Sequence, residues 1–132
     1  MYNAVLKVKD IMRTTVTTTD ETKTAIEAAK TMAEKKIGCL IVMREDEVVG
    51  IITWQDIVTR VVARGLNPNM LKVGEFMTSP VIACPPESLI SDVARTMSEK
   101  RIRRIPVVDG KKLVGILTAY DIALHGWGVP SH

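Results

Sequence analysis

Gly115-Ile116-Leu117-Thr118-Ala119-Tyr120-Asp121 decides how the chain reads, because Gly50-Ile51-Ile52-Thr53-Trp54-Gln55-Asp56 repeats its pattern 65 residues earlier. In each stretch a glycine leads an apolar run, with a hydroxyl and then a carboxylate at fixed spacing. Taken singly, either stretch reads as a strand running into a helix. The threonine caps, and the carboxylate falls in the first turn, where the macrodipole favours negative charge. Two copies at one offset require a common explanation.

The offset of 65 extends well beyond these stretches. It relates Met77 to Met12, Val81 to Val16, Met97 to Met32, Lys100 to Lys35, Ile102 to Ile37 and Val107 to Val42, without a gap from Lys7–Ile57 to Lys72–Ile122. Internal repetition governs the architecture. Each copy predicts a short extended piece, Val16-Thr17-Thr18 or Val81-Ile82-Ala83, and then a helix from about Thr24 to Lys36 or Leu89 to Arg101. Apolar residues at helical spacing support these helices: Ile26, Ala29, Met32 and Ala33 in one, Ile90, Val93, Ala94 and Met97 in the other. Thr24 and Glu27 have capping-box spacing.

Two β-branched runs follow in each copy, Cys39–Met43 with Val48–Ile52 and Ile105–Val108 with Leu113–Leu117. Asp109-Gly110 between the second pair is a tight-turn signal with both central residues at positive φ, so each pair predicts an antiparallel hairpin. Their near-continuous hydrophobicity implies a sheet covered on both faces. A last helix is expected over Trp54–Ala63, stopped by Gly65, and over Ala119 to about Leu124, stopped by Gly126. The expected fold is α/β with α+β character: two β-α-β-β-α units, 1–66 and 67–132, packed face to face about a pseudo-two-fold axis. Gly65-Leu66-Asn67-Pro68-Asn69 joins them, and Pro68 forbids helix continuation.

The 132 residues are 46% hydrophobic and 25% charged, enough for an aliphatic core without staples. Aromatics at 4% argue against base-stacking platforms. The formal charge of +3 suits anionic ligands but is also ordinary for solubility. Cys39, expected as a small core residue, and Cys84, expected in a loop, form no disulfide framework. With His125 and His132 at the tail, no metal site is expected. No apolar run reaches the ~20 residues of a membrane span, so the expectation is a cytoplasmic protein without membrane partners. No nucleophile with a base, metal-ligand cluster or Walker loop is present, so catalysis is not expected.

A strand leading into a helix start also presents free backbone amides, and a carboxylate can accept from both hydroxyls of a ribose. The motifs therefore suit a nucleoside phosphate as well as a cap. At this point the chain resembles a pair of CBS domains, the cystathionine beta-synthase modules. The likeness runs from Val8 to Ile122 and includes Asp10-Ile11-Met12, Glu75-Phe76-Met77 and Arg104-Ile105-Pro106-Val107-Val108-Asp109.

The resemblance implies regulatory binding of AMP, ADP, ATP or S-adenosylmethionine in clefts between the units, with no cofactor beyond that ligand. It makes Asp56 and Asp121 ribose binders, and Thr53 and Thr118 phosphate-side contacts. Thr14, Thr15 and Val16, or Ser79, Pro80 and Val81, become the edge that meets adenine. Arg103, Arg104, Ile105 and Pro106 match the strand that approaches phosphates. The copies differ there, because Gly38 and Cys39 stand in the first where Arg103 and Arg104 stand in the second. A phosphate grip from this strand belongs to the second unit alone, unless those arginines are a solvated charge run at a helix end.

CBS pairs also imply a homodimer, acting here through an unknown effector protein. Alternatives are a dimerisation scaffold with vestigial sites and a weak nucleic-acid binder using residues 100–104. The tail beyond Leu124, with Trp127, carries no assigned role.

Overall fold

The structure, a computed structural model, describes residues 6–125. The expected Gly126 stop, His132 and Trp127 lie outside the described residues. Its order is α1 (Val8–Ile11), β1 (Thr18–Asp20), α2 (Ala25–Lys35), β2 (Cys39–Arg44), β3 (Glu47–Thr53), α3 (Trp54–Asp56), α4 (Val73–Phe76), α5 (Ile90–Lys100), β4 (Arg104–Asp109), β5 (Lys112–Thr118) and α6 (Ala119–Leu124). Each long helix starts and ends within one or two residues of the position its apolar spacing predicts. Thr24 and Glu27 form the expected capping box: the Glu27 N–H donates to Thr24 Oγ1 at 3.3 Å, and the Thr24 N–H to Glu27 Oε1 at 3.1 Å.

Residues group in space differently from the order 1–66 and 67–132. A continuous unit comprises Thr17–Val81, and a split unit comprises the residues up to Val16 with those from Ile82 onward. The physical reason is the pair of four-residue helices that open the repeats. In the continuous unit α4 inserts Val73 and Phe76 into a core with Ala25, Ala28, Met32, Leu40, Val42, Ile52 and Val61. In the split unit α1 inserts Val8 and Ile11 among Ile90, Val93, Met97, Ile105, Val107, Leu117 and Ile122. Each repeat thus sends its opening helix into the core of the other repeat's sheet. Backbone hydrogen bonds hold the arrangement, from Val73 N–H to Lys23 O at 2.8 Å and from Val8 N–H to Ser88 O at 2.8 Å.

Within the continuous unit the sheet order is β1-β2-β3, with β1 parallel and β3 antiparallel to β2. The split unit has the hairpin β4-β5 alone, with one parallel bridge, Cys84 to Val107, where a third strand was expected. Proline explains the loss. The Ile41 N–H donates to Thr17 O at 3.3 Å, whereas the equivalent of Ile41 is Pro106, which has no N–H to give, and Pro85 follows Cys84 directly. Cys84 is therefore half-buried against the core rather than in a free loop, and burial pushes its thiol up to about 11. It is protonated and unreactive at neutral pH.

Two other local features differ from expectation. The second hairpin turns on Gly110-Lys111, between the paired Asp109 and Lys112, and the positive φ falls on Gly110 at 65°. The helix expected over Trp54–Ala63 is α-helical only to Asp56 and continues as a π-helix over Ile57–Val62, where five β-branched residues disfavour regular α-helix.

Candidate functional site

Both Thr-x-x-Asp motifs fold as reciprocal caps at the end of a strand. In the first, the Thr53 N–H and Oγ1 donate to Asp56 Oδ2 at 2.8 and 3.1 Å, and the Asp56 N–H donates back to Thr53 Oγ1 at 3.2 Å. In the second, the Thr118 N–H and Oγ1 donate to Asp121 Oδ2 at 3.1 and 2.8 Å, and the Asp121 N–H returns a bond to Thr118 Oγ1 at 3.1 Å. Capping therefore accounts for one oxygen of each carboxylate. The second oxygen distinguishes the two copies.

Asp56 is partly buried, and its Oδ1 lies 3.7 Å from Arg60 Nε of its own helix, beyond hydrogen-bond reach. Arg60 instead donates from Nη1 to Phe76 O at 2.9 Å. Asp121 is 4% exposed, the one buried charged side chain among the described residues. Its Oδ1 accepts from Arg13 Nε at 2.7 Å. Burying a carboxylate is costly unless it is paired and hydrogen-bonded. Asp121 satisfies both conditions.

Arg13 was not among the residues singled out in the sequence. The signal is present, since it occupies the position after Met12 where the second copy has Thr78 after Met77. What the sequence does not display is its placement. Arg13 pairs with Ile116 across β5, each N–H donating to the other's carbonyl at 2.9 Å, just as Thr78 pairs with Ile51 across β3. The bridge sets the side chain of residue 13 over the strand that ends in Thr118.

The remaining expected residues fall as follows. Arg104 is the register partner of Thr118, and the Arg103 carbonyl accepts from the Ala119 N–H at 2.8 Å, so both arginines adjoin the second motif. Arg103 is exposed and Arg104 half-buried. Ile105 and Pro106 are fully buried, leaving only backbone to meet a ligand. Thr14 and Thr15 are exposed and Val16 partly so, and they belong to the split unit; Ser79 and Pro80 are exposed and, with Val81, belong to the continuous unit. Among the described residues no three His, Cys, Asp or Glu side chains are grouped to hold a metal ion, and no helix is long and apolar enough to cross a membrane.

Two repeats of a helix, an antiparallel hairpin and a closing helix, each ending on a threonine-capped carboxylate, define a tandem α/β module. The chain belongs to the CBS domain family, whose pattern matches residues 8–63 and 73–127. It is 39% identical over 119 residues to an uncharacterized protein of Methanopyrus kandleri, covering 89% of this chain and 61% of that protein's length. It is 36% identical over 125 residues to Hypoxic response protein 1 of Mycobacterium tuberculosis, covering 94% of this chain and 85% of that one. A crystal structure of that protein with two coordinated zinc ions superposes with a TM-score of 0.82 over 91% of this chain and 98% of its own. The CBS domain pair of protein MJ0100, crystallised with 5′-methylthioadenosine and S-adenosyl-L-methionine, is 34% identical, with a TM-score of 0.82 over 92% of this chain and 97% of its own.

Proposed function

We propose that the protein is a non-catalytic regulatory module that binds an adenosine compound, AMP, ADP, ATP or S-adenosylmethionine, at its Thr-x-x-Asp motifs. The observation that carries this reading is the likeness to the MJ0100 pair, which binds two adenosine compounds, combined with the retention of threonine and aspartate in both repeats. The chemistry fits. A carboxylate accepts from ribose hydroxyls, the threonine hydroxyl oxygen keeps a lone pair for polar groups beyond it, and Arg103 and Arg104 supply cations beside the second motif. Any regulatory effect passes through self-association, here a homodimer, or through an effector protein, and gel filtration reads the first directly.

The test is the melting temperature with and without each ligand at millimolar concentration, for the wild type, Asp56→Ala and Asp121→Ala. A ligand at 100 times its Kd adds ~2.7 kcal/mol, which is a rise of a few degrees in a domain of this size. At least one ligand should raise the wild type and lose its effect in one of the two variants. If no ligand shifts the wild type while both variants simply melt earlier, the motifs are caps alone and the protein is a scaffold.

A further inference from the structure

The two carboxylates of the repeat differ in one respect that the Thr-x-x-Asp pattern does not encode. Among the described residues the nearest cation to Asp56 Oδ1 is Arg60, at 3.7 Å and outside hydrogen-bond distance, whereas the equivalent oxygen of Asp121 is held by Arg13 at 2.7 Å. Both backbone groups of Arg13 are bonded to Ile116 at 2.9 Å, which fixes the point from which its side chain reaches Asp121. Arg13 spends Nε on the carboxylate, and its side chain remains 55% exposed, so its terminal amino groups keep donors to offer. Beside the first motif the same bridge position, opposite Ile51, holds Thr78, whose side chain carries no charge.

We infer that Arg13 is a selectivity residue, exchanging its hold on Asp121 for a ligand phosphate. Building on the nucleotide-binding reading above, a ribose diol at the second motif competes with Arg13 for Asp121 Oδ1. A neutral nucleoside offers the displaced guanidinium nothing in return. A nucleoside phosphate offers a second anion to which a guanidinium binds in bidentate fashion, so one ion pair replaces another. The second motif therefore selects phosphorylated over neutral adenosine, and the first motif, with Thr78 at the bridge in place of the arginine, does not.

The experiment is isothermal titration with AMP and with adenosine in an Asp56→Ala background, which confines the reading to the second repeat. Arg13, Arg13→Gln and Arg13→Lys forms are compared, each first shown to melt cooperatively. The expected result is that Arg13→Gln lowers the AMP-to-adenosine affinity ratio about tenfold or more, by weakening AMP and leaving adenosine equal or tighter, while Arg13→Lys retains part of the ratio. An unchanged ratio in Arg13→Gln, with AMP still bound, overturns the selectivity role and leaves the nucleotide-binding reading standing. Absence of binding by both ligands to every form, including the protein with Asp56 intact, overturns the nucleotide-binding reading and this inference with it.

Discussion

Gly115 shows how one residue type serves two purposes in this chain. In the sequence, glycine ahead of Thr-x-x-Asp reads as punctuation before a helix, yet Gly115 lies buried within β5 and Gly50 within β3. A Cβ at position 115 would stand 2.7 Å from Met12 Sδ and 2.8 Å from the Arg13 carbonyl oxygen, and one at 50 would stand 2.6 Å from Met77 Sδ and 2.9 Å from the Thr78 carbonyl. The absent side chain is what lets the segment after each opening helix bridge to the strand. Methionine can bend away, whereas a carbonyl in a two-way backbone bridge cannot. Gly115→Ala should therefore lower unfolding free energy by about 1–3 kcal/mol, read as a drop in urea midpoint at unchanged slope. The motif was legible because hydroxyl and carboxylate recur at one spacing, and Arg13 was not, because its partner lies 108 residues away and meets it only through β5.

Among the elements, the long helices and the hairpins were legible because each carries its own periodicity or β-branched run. The opening helices were not. At four residues they are too short to show a period, and their apolar residues belong to a distant core. The missing third strand of the split unit was likewise visible only once Pro106 could be placed beside the segment that bridges at Cys84. Helix α1 carries a further device, since Lys7 and Lys9 both reach Glu87 at 2.9 Å. Hydrogen bonds from the two lysines hold the Glu87 carboxyl at about 2, below its ordinary 4.5. A depressed carboxylate favours the folded state above its unfolded pKa, and that contribution is lost as pH falls from about 4.5 through about 2. The acid limb of a stability-versus-pH curve should accordingly be shallower over that window in Glu87→Gln than in the wild type. The difference should shrink in molar salt, because the pair is exposed.

For the whole molecule, the division into Thr17–Val81 and the flanking segments makes a prediction that sequence order alone would reverse. A fragment of residues 17–81 contains every member of its core, including Val73 and Phe76, whereas 1–66 lacks both. Removing a buried Val and Phe costs several kcal/mol, comparable to the whole stability of a unit this small. Residues 17–81 should give a cooperative thermal transition and dispersed amide resonances, and 1–66 should give neither. The reverse result would show that the opening helices are ornaments on self-sufficient repeats.

The same partition orders events on the ribosome. Synthesis delivers the continuous unit complete once Val81 has cleared the exit tunnel, while α1, made ahead of that unit, has no sheet to join until β5 and α6 follow it out. Through that interval Val8 and Ile11 lack the core that α5, β4, β5 and α6 later supply.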